Sequence, residues 1–194
     1  LKNKEFVVSG SDIADSPNVQ RLIDLGINVS IGHNKENISD AELVIYSDAI
    51  PKDNVELIEA LAKNIIVYSR ARMISEIAKL NNSTVAIAGT HGKTTTTSMV
   101  GTILKSMNLD PTIIVGGVVK SLESNSVLGG GDTFVVEADE YNKSLLHLSP
   151  TIAVINNIDF EHIECYNDID DLKDTFLQFA NSVPFYGTVC ACKD

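Results

Sequence analysis

The sequence predicts an α/β protein made of two successive units of parallel sheet with helices on the faces. Three observations carry this. Short, uninterrupted apolar runs such as Leu43-Val44-Ile45-Tyr46 and Phe134-Val135-Val136 read as strands buried on both faces, as in parallel sheets. Stretches with apolar residues at helical spacing alternate with those runs. The run Val85-Ala86-Ile87-Ala88 stops at Gly89, turns through Thr90-His91-Gly92 and restarts as Lys93-Thr94-Thr95 ahead of a helical pattern, which is a strand–loop–helix.

In the first unit, Phe6-Val7-Val8 reads as a buried strand that breaks into the polar loop Ser9-Gly10-Ser11-Asp12. Pro17 suits the start of a short helix with Val19, Leu22, Ile23 and Leu25 inward and Gly26 as its stop. Strands follow at 27–31 and 43–46, the second ending at Ser47-Asp48. After Pro51, Val55, Ile58, Leu61 and Ala62 recur at helical spacing. A strand at 65–68 and a helix over 70–80 lead to Asn81-Asn82-Ser83, the expected boundary between domains at 1–82 and 83–194.

In the second unit, the helix after Lys93 carries Met99, Val100, Ile103, Leu104 and Met107 on one face. Residues 112–115 read as a strand running into Gly116-Gly117. Gly129-Gly130-Gly131 turns into Phe134-Val135-Val136, which ends at Glu137-Ala138-Asp139-Glu140. A strand at 152–155 ends at Asn156-Asn157. A helix over 167–183, capped by Asn167 with Asp170, places Ile169, Leu172, Phe176, Phe179 and Val183 inward. In doubly wound folds a Gly-rich turn follows the first strand. None precedes Phe6, so the first unit reads as an incomplete Rossmann-like domain lacking its first strand. The second reads as a P-loop-type parallel α/β domain, cut short. The chain opens on leucine and closes with Lys193-Asp194 directly after the apolar run at 188–192, so both ends are expected to be cuts within a longer protein.

With 15 basic and 26 acidic residues the net charge is −11, which argues against a nucleic-acid footprint. No run of roughly eighteen apolar residues suggests a membrane span, and no signal-peptide pattern opens the chain. Cys165, Cys190 and Cys192 lack CxxC spacing and fit a reduced, cytoplasmic setting, with Cys190 and Cys192 as core residues on one strand face.

Gly89 and Gly92 allow close approach of backbone to an anion, and the helix behind them offers free N–H groups and a positive dipole end. Lys93 is placed to reach terminal phosphates and the Thr94 hydroxyl to ligate Mg²⁺. The pattern is Gly-x-x-Gly-Lys-Thr, shorter than the usual P-loop, whose first glycine would stand at Ile87. Ligands of parallel α/β sheets sit at the carboxyl ends of strands. Three polar clusters fall there: the loop itself, residues 137–140 and residues 156–162. Glu137 is a hard oxygen ligand for Mg²⁺, while His162 is an unusual one. On these grounds a solvated acidic loop and an ordinary loop histidine remain open alternatives. His147 reads as a structural histidine.

Gly89-Thr90-His91-Gly92-Lys93-Thr94-Thr95-Thr96 resembles the ATP loop of the Mur ligases. The resemblance spans the whole chain: Ser9-Gly10-Ser11-Asp12, Ser47-Asp48-Ala49-Ile50, Glu137-Ala138-Asp139-Glu140, Leu146-His147-Leu148-Ser149-Pro150, Asn157 through His162 and Pro184-Phe185-Tyr186-Gly187 follow in family order. It implies ATP binding by Gly89, Thr90, His91, Gly92, Lys93, Thr94 and Thr95. It further implies Mg²⁺ held by Thr94, Glu137 and His162, catalytic roles for Lys93, Glu137 and His162, and UDP-sugar contacts from Ser11, Asp12, His33 and Ser47. The implied activity is ATP-dependent joining of L-alanine to UDP-N-acetylmuramate through an acyl phosphate, in peptidoglycan precursor synthesis. The chain has no counterpart to the carbamylated lysine of some members. That agrees with the alanine-adding branch, and the Leu146–Pro150 stretch favours this branch over the one that recycles a murein tripeptide. Departures from the family pattern stand at Asp48, Asn142 and Glu161. On a second reading they are traces of a nonenzymatic ATP and UDP-sugar sensor. An unrelated P-loop kinase or GTPase is a third reading, without a guanine-reading or kinase motif to support it. As the family's third domain is absent, the chain alone is expected to bind nucleotide weakly and not to turn over.

Overall fold

Parallel strands depend on a partner in register, and in the first unit that requirement places the opening strand later than its apolar run. Strand β1 is Ser9–Asp12, paired with β2 (Asn28–Ile31) through Ser9↔Asn28 to Asp12↔Ile31. Phe6-Val7-Val8, expected as the strand, lies outside the ladder, with Phe6 and Val7 exposed. The computed structural model describes residues 1–2, 5–119, 124–160 and 165–193. It divides into two units, Leu1–Arg70 and Ala71–Asp194.

Between β1 and β2 runs α1 (Pro17–Asp24), started by Ser16, whose hydroxyl accepts the Val19 N–H, and followed by Gly26 at φ 72°. Of its expected inward residues only Val19 is buried; Leu22, Ile23 and Leu25 are exposed. Strand β3 (Leu43–Tyr46) pairs in parallel with β4 (Ile66–Ser69). Helix α2 (Val55–Ala62) joins them, capped by the Asn54 side chain. Its buried face is Glu56, Leu57 and Ala60, whereas Val55, Ile58 and Leu61 point to solvent. The helix is apolar on several sides, so spacing alone selects the wrong stripe; the face buried is the one that meets the 35–38 turn and β4.

The second unit is one six-stranded sheet in the order β10-β9-β5-β8-β6-β7. Its strands are β5 (Ser83–Ala88), β6 (Thr112–Val119), β7 (Ser124–Val127), β8 (Thr133–Glu137), β9 (Ile152–Ile155) and β10 (Thr188–Ala191). All pairs are parallel except β6–β7, an antiparallel edge that the polar Ser-Asn-Ser-Val stretch does not announce. Along β5 and β8 every residue of the central run is apolar, yet the two faces have separate cores. Ala86, Ala88, Phe134 and Val136 join Leu172, Phe176 and Phe179 of α5 (Ile169–Asn181) and Ile74, Ile77 and Ala78 of α3 (Arg70–Ala78). Val85, Ile87 and Val135 pack with Val100 and Leu104 of α4 (Lys93–Ser106) on the other face.

Three expectations are corrected here. On α4 the residues turned to the sheet are Thr97 and Gly101 with Val100 and Leu104, while Met99, Ile103 and Met107 are exposed. Gly101 is selected because a Cβ there would stand 2.5 Å from Ile113. The N-cap of α5 is Asp168, whose carboxylate accepts the Asp170 and Asp171 N–H groups, not Asn167. Cys190 and Cys192 are exposed, not core, because β10 is the edge strand. No helix among the described residues is long and apolar enough to cross a membrane.

Candidate functional site

Strand β5 lies between β8 and β9; it leads through α4 to β6 on one side while β8 crosses to β9 on the other, so β5 sits at the switch point where parallel sheets bind ligands at carboxyl ends. The loop 89–92 emerges there. Gly92 takes φ 78° and serves as N-cap of α4 with no side-chain cap, leaving the first-turn N–H groups facing the loop mouth, and no acidic residue stands in that turn. Among the described residues only Asn156 Nδ2 approaches a would-be Cβ at Gly92, at 3.4 Å. Gly89, at φ 136°, is needed for a different reason: a side chain there would meet Asn156 Cβ at 3.0 Å and two backbone nitrogens at 3.2 Å.

The end of β9 holds this loop in shape. The His91 N–H donates to Asn157 Oδ1 at 2.8 Å, and Asn156 Nδ2 donates to the His91 carbonyl at 3.3 Å. The Thr90 hydroxyl accepts the Asp159 N–H (2.9 Å) and donates to the Asp159 carbonyl (3.0 Å). Lys93 turns back over the loop. Its ammonium donates to the carbonyls of Gly89 (2.7 Å) and Thr90 (3.2 Å) and lies 2.9 and 2.8 Å from the two carboxylate oxygens of Glu140, which is 1% exposed.

Glu137 closes β8 opposite Ile87 of β5, two residues before the loop begins at Gly89. One oxygen, Oε2, accepts the Gly116 N–H at 2.8 Å; the other, Oε1, is buried and has no hydrogen-bond partner among the described residues. A buried carboxylate oxygen left unpaired calls for a cation or donor beyond those the described residues supply. Mg²⁺ takes one or two protein carboxylates and completes its shell with water and phosphate oxygens, so Glu137 with the Thr94 hydroxyl fits it. Among the described residues no three Asp, Glu, His or Cys side chains cluster tightly enough to hold a metal alone. His162, and Glu161 before it, lie outside the described residues. His147 is exposed, and its carbonyl accepts the Ser75 hydroxyl at 2.6 Å.

In the first unit, two of the four residues expected at a UDP-sugar meet each other. Ser11 Oγ lies 3.1 Å from His33 Nδ1 and donates to Glu56 Oε2 at 2.6 Å, and His33 Nδ1 is 3.2 Å from the same oxygen. The other Glu56 oxygen accepts from Asn37 Nδ2 (2.7 Å) and the Asn34 N–H (3.2 Å). Burial, the largest single influence, pushes the Glu56 carboxyl up. The hydrogen bonds from Ser11, Asn37 and Asn34 and the His33 charge together outweigh it and hold the group below its ordinary value of 4.5. Asp12 and Ser47 are engaged locally, accepting the Ala14 and Ala49 N–H groups. Sequence reasoning missed Glu56 and Glu140. Glu140 sat inside a noted acidic cluster, but which acid meets Lys93 depends on the turn after β8. Glu56 carries one local signal, an acid in the first helical turn two residues after the capping Asn54.

A glycine turn that leads from a buried strand into a helix headed by lysine, on a parallel sheet, defines a P-loop-type α/β fold. Residues 1–82 match the description "Mur ligase family, catalytic domain" and residues 87–194 match "Mur ligase middle domain", so the chain belongs to the Mur ligase family. Among curated relatives it is 49% identical over its full length to the UDP-N-acetylmuramate–L-alanine ligase of Geotalea uraniireducens, covering 42% of that protein. It is 48% identical over 96% of its length to the ligase of the same name from a Sulfurihydrogenibium species, covering 41% of it. The chain therefore spans about two fifths of the curated relatives it matches. The structure of the UDP-N-acetylmuramate–alanine ligase of Thermotoga maritima superposes with a TM-score of 0.86 at 29% identity, over 100% of this chain and 45% of that one. The Neisseria meningitides ligase that takes UDP-N-acetylmuramate and L-alanyl-γ-D-glutamyl-meso-diaminopimelate superposes with a TM-score of 0.89 at 26% identity, over 99% of this chain and 65% of that one.

Proposed function

We propose that this chain is the UDP-sugar- and ATP-binding portion of a cytoplasmic ligase that joins L-alanine to UDP-N-acetylmuramate in peptidoglycan precursor synthesis. The observation that supports the reading is that the glycine loop leading into Lys93 leaves the end of β5 while Glu137 ends the neighbouring strand β8, opposite Ile87. A carboxylate is a poor acyl donor. In the proposed reaction a carboxylate oxygen of the sugar's lactyl group takes the terminal phosphoryl group of ATP, releasing ADP. The alanine nitrogen, its proton lost, then attacks the acyl phosphate and expels inorganic phosphate.

The first step drives one anion onto another, so charge neutralisation is the chief demand on the site. Lys93 supplies a positive charge at the loop mouth. The loop of Gly89, Thr90, His91, Gly92, Lys93, Thr94 and Thr95 offers N–H groups to the phosphates. Thr94, Glu137 and His162 would hold Mg²⁺, whose bound form neutralises phosphate charge. In the first unit Ser11 and Asp12 at the end of β1, with His33 and Ser47 in the loops after β2 and β3, are proposed to receive the UDP-sugar, with Glu56 fixing Ser11 and His33.

The test is phosphate release by the full-length gene product given ATP, UDP-N-acetylmuramate and L-alanine, with a murein tripeptide in place of alanine as the comparison. Alanine-dependent release supports the reading, and the 194-residue chain alone is expected to bind ATP without turnover. The superposition on the Neisseria enzyme favours a second reading, ligation of a preformed peptide; release with tripeptide but not alanine selects it. Binding of ATP and UDP-sugar with no release under either condition points to a sensor and overturns both.

A further inference from the structure

The Lys93 ammonium has three N–H donors and faces four acceptors: the Gly89 and Thr90 carbonyls and both oxygens of Glu140. A phosphate oxygen reaches this lysine only if one of those partners yields. The partners are unequal. Glu140 is almost wholly buried, and its backbone is fastened: its carbonyl accepts the Tyr166 hydroxyl at 2.5 Å and the Lys143 N–H at 2.9 Å. Tyr166 is itself buried, and burial, with the nearby Glu140 charge, pushes its hydroxyl up to about 12, so it stays a donor. Asn142 and Lys143 follow in left-handed backbone at φ 53° and 55°, with Lys143 Nζ tied to Asp171 Oδ1 at 2.6 Å. Taking the lysine away from Glu140 breaks an ion pair to a carboxylate that is 1% exposed. Taking it from the two neutral carbonyls costs far less.

We infer that Glu140 is the positioning residue of the nucleotide loop: it fixes the Lys93 ammonium at the loop mouth, while the Gly89 and Thr90 carbonyls occupy the donors that a polyphosphate takes over. The inference rests on the nucleotide reading of this site. Lys93 then pivots about Glu140 instead of leaving it, exchanging carbonyl oxygens for phosphate oxygens.

The experiment measures equilibrium binding of ATP, ADP and adenosine, with thermal unfolding, for the chain and its E140Q, K93M and K93M/E140Q variants. Glu140→Gln is isosteric and keeps an acceptor for Lys93, so the fold survives; the double variant repeats the test with neither charge buried. E140Q is expected to weaken ATP and ADP about tenfold and leave adenosine unchanged. In the K93M background the same change should alter ATP binding by less than about twofold. K93M should lower the unfolding midpoint, and K93M/E140Q should restore it, because the buried negative charge is then gone as well. ATP bound as tightly or more tightly by E140Q, or an equal loss from E140Q with and without Lys93, overturns the proposal alone. A parent chain that binds neither ATP nor ADP, or a K93M chain that binds them normally, overturns the nucleotide reading as well.

Discussion

Replacing Gly116 by alanine moves the Glu137 carboxylate without altering it. The backbone at 116 is not left-handed, so alanine itself is tolerated. Its Cβ would stand 2.7 Å from Glu137 Oε2, where ordinary contact begins at 3.4 Å, so the carboxylate must withdraw by about 0.7 Å (3.4 − 2.7) and surrender its 2.8 Å bond from the Gly116 N–H. The obstructing atom is the end of a flexible side chain and Gly116 is exposed, so water replaces the lost partner. The stability change is expected to stay below about 1 kcal/mol, at the low end for a net hydrogen bond. Metal ligation is less tolerant. Mg²⁺ demands near-octahedral oxygens at about 2.0–2.1 Å, and loss of a group orienting a ligand costs about 10–100-fold. Titration with a fluorescent ATP analogue at varied Mg²⁺, with urea unfolding alongside, should show the Mg²⁺-dependent part of the affinity falling by that factor while the unfolding midpoint hardly moves. In a Glu137→Ala background, Gly116→Ala should do nothing further. Unchanged Mg²⁺ dependence in Gly116→Ala refutes the assignment of Glu137 as the metal's carboxylate.

Two further substitutions probe buried polar groups. Glu56→Gln should destabilise the first unit at neutral pH. Because the folded pKa of Glu56 is lowered, its contribution is present above the ordinary value of 4.5 and is lost as pH falls through the folded value, so the gap between parent and variant in urea unfolding should close on acidification. A gap that widens toward acid contradicts the network around Ser11, His33 and Asn37. Thr97 is wholly buried in α4 and its hydroxyl has no partner among the described residues. Thr97→Val should therefore be neutral or stabilising by up to about 1 kcal/mol, and a loss of more than that would reveal a bond the hydroxyl makes.

The fold was legible where its cause is local. Leu43-Val44-Ile45-Tyr46 is β3, residue for residue, because a short apolar run bounded by polar residues has one good use in a parallel sheet. The turn through Gly92 into Lys93 could be read because a left-handed backbone favours glycine and an uncapped helix start favours an anion. Phe6-Val7-Val8 misled because register with β2, not hydrophobicity, places β1. Met99, Ile103 and Met107 misled because α4 is apolar on more than one side, and the sheet took the side with Gly101.

The sequence by itself determined that a phosphate-type loop joins a buried strand to a helix and that acidic and amide residues end the neighbouring strands. These follow from side-chain chemistry and from backbone preferences a few residues long. Only the tertiary structure decided that Lys93 answers to Glu140, 47 residues away, and that Ser11 answers to Glu56, 45 residues away. A charge or hydroxyl with several candidate partners is claimed by whichever one the packed backbone buries beside it.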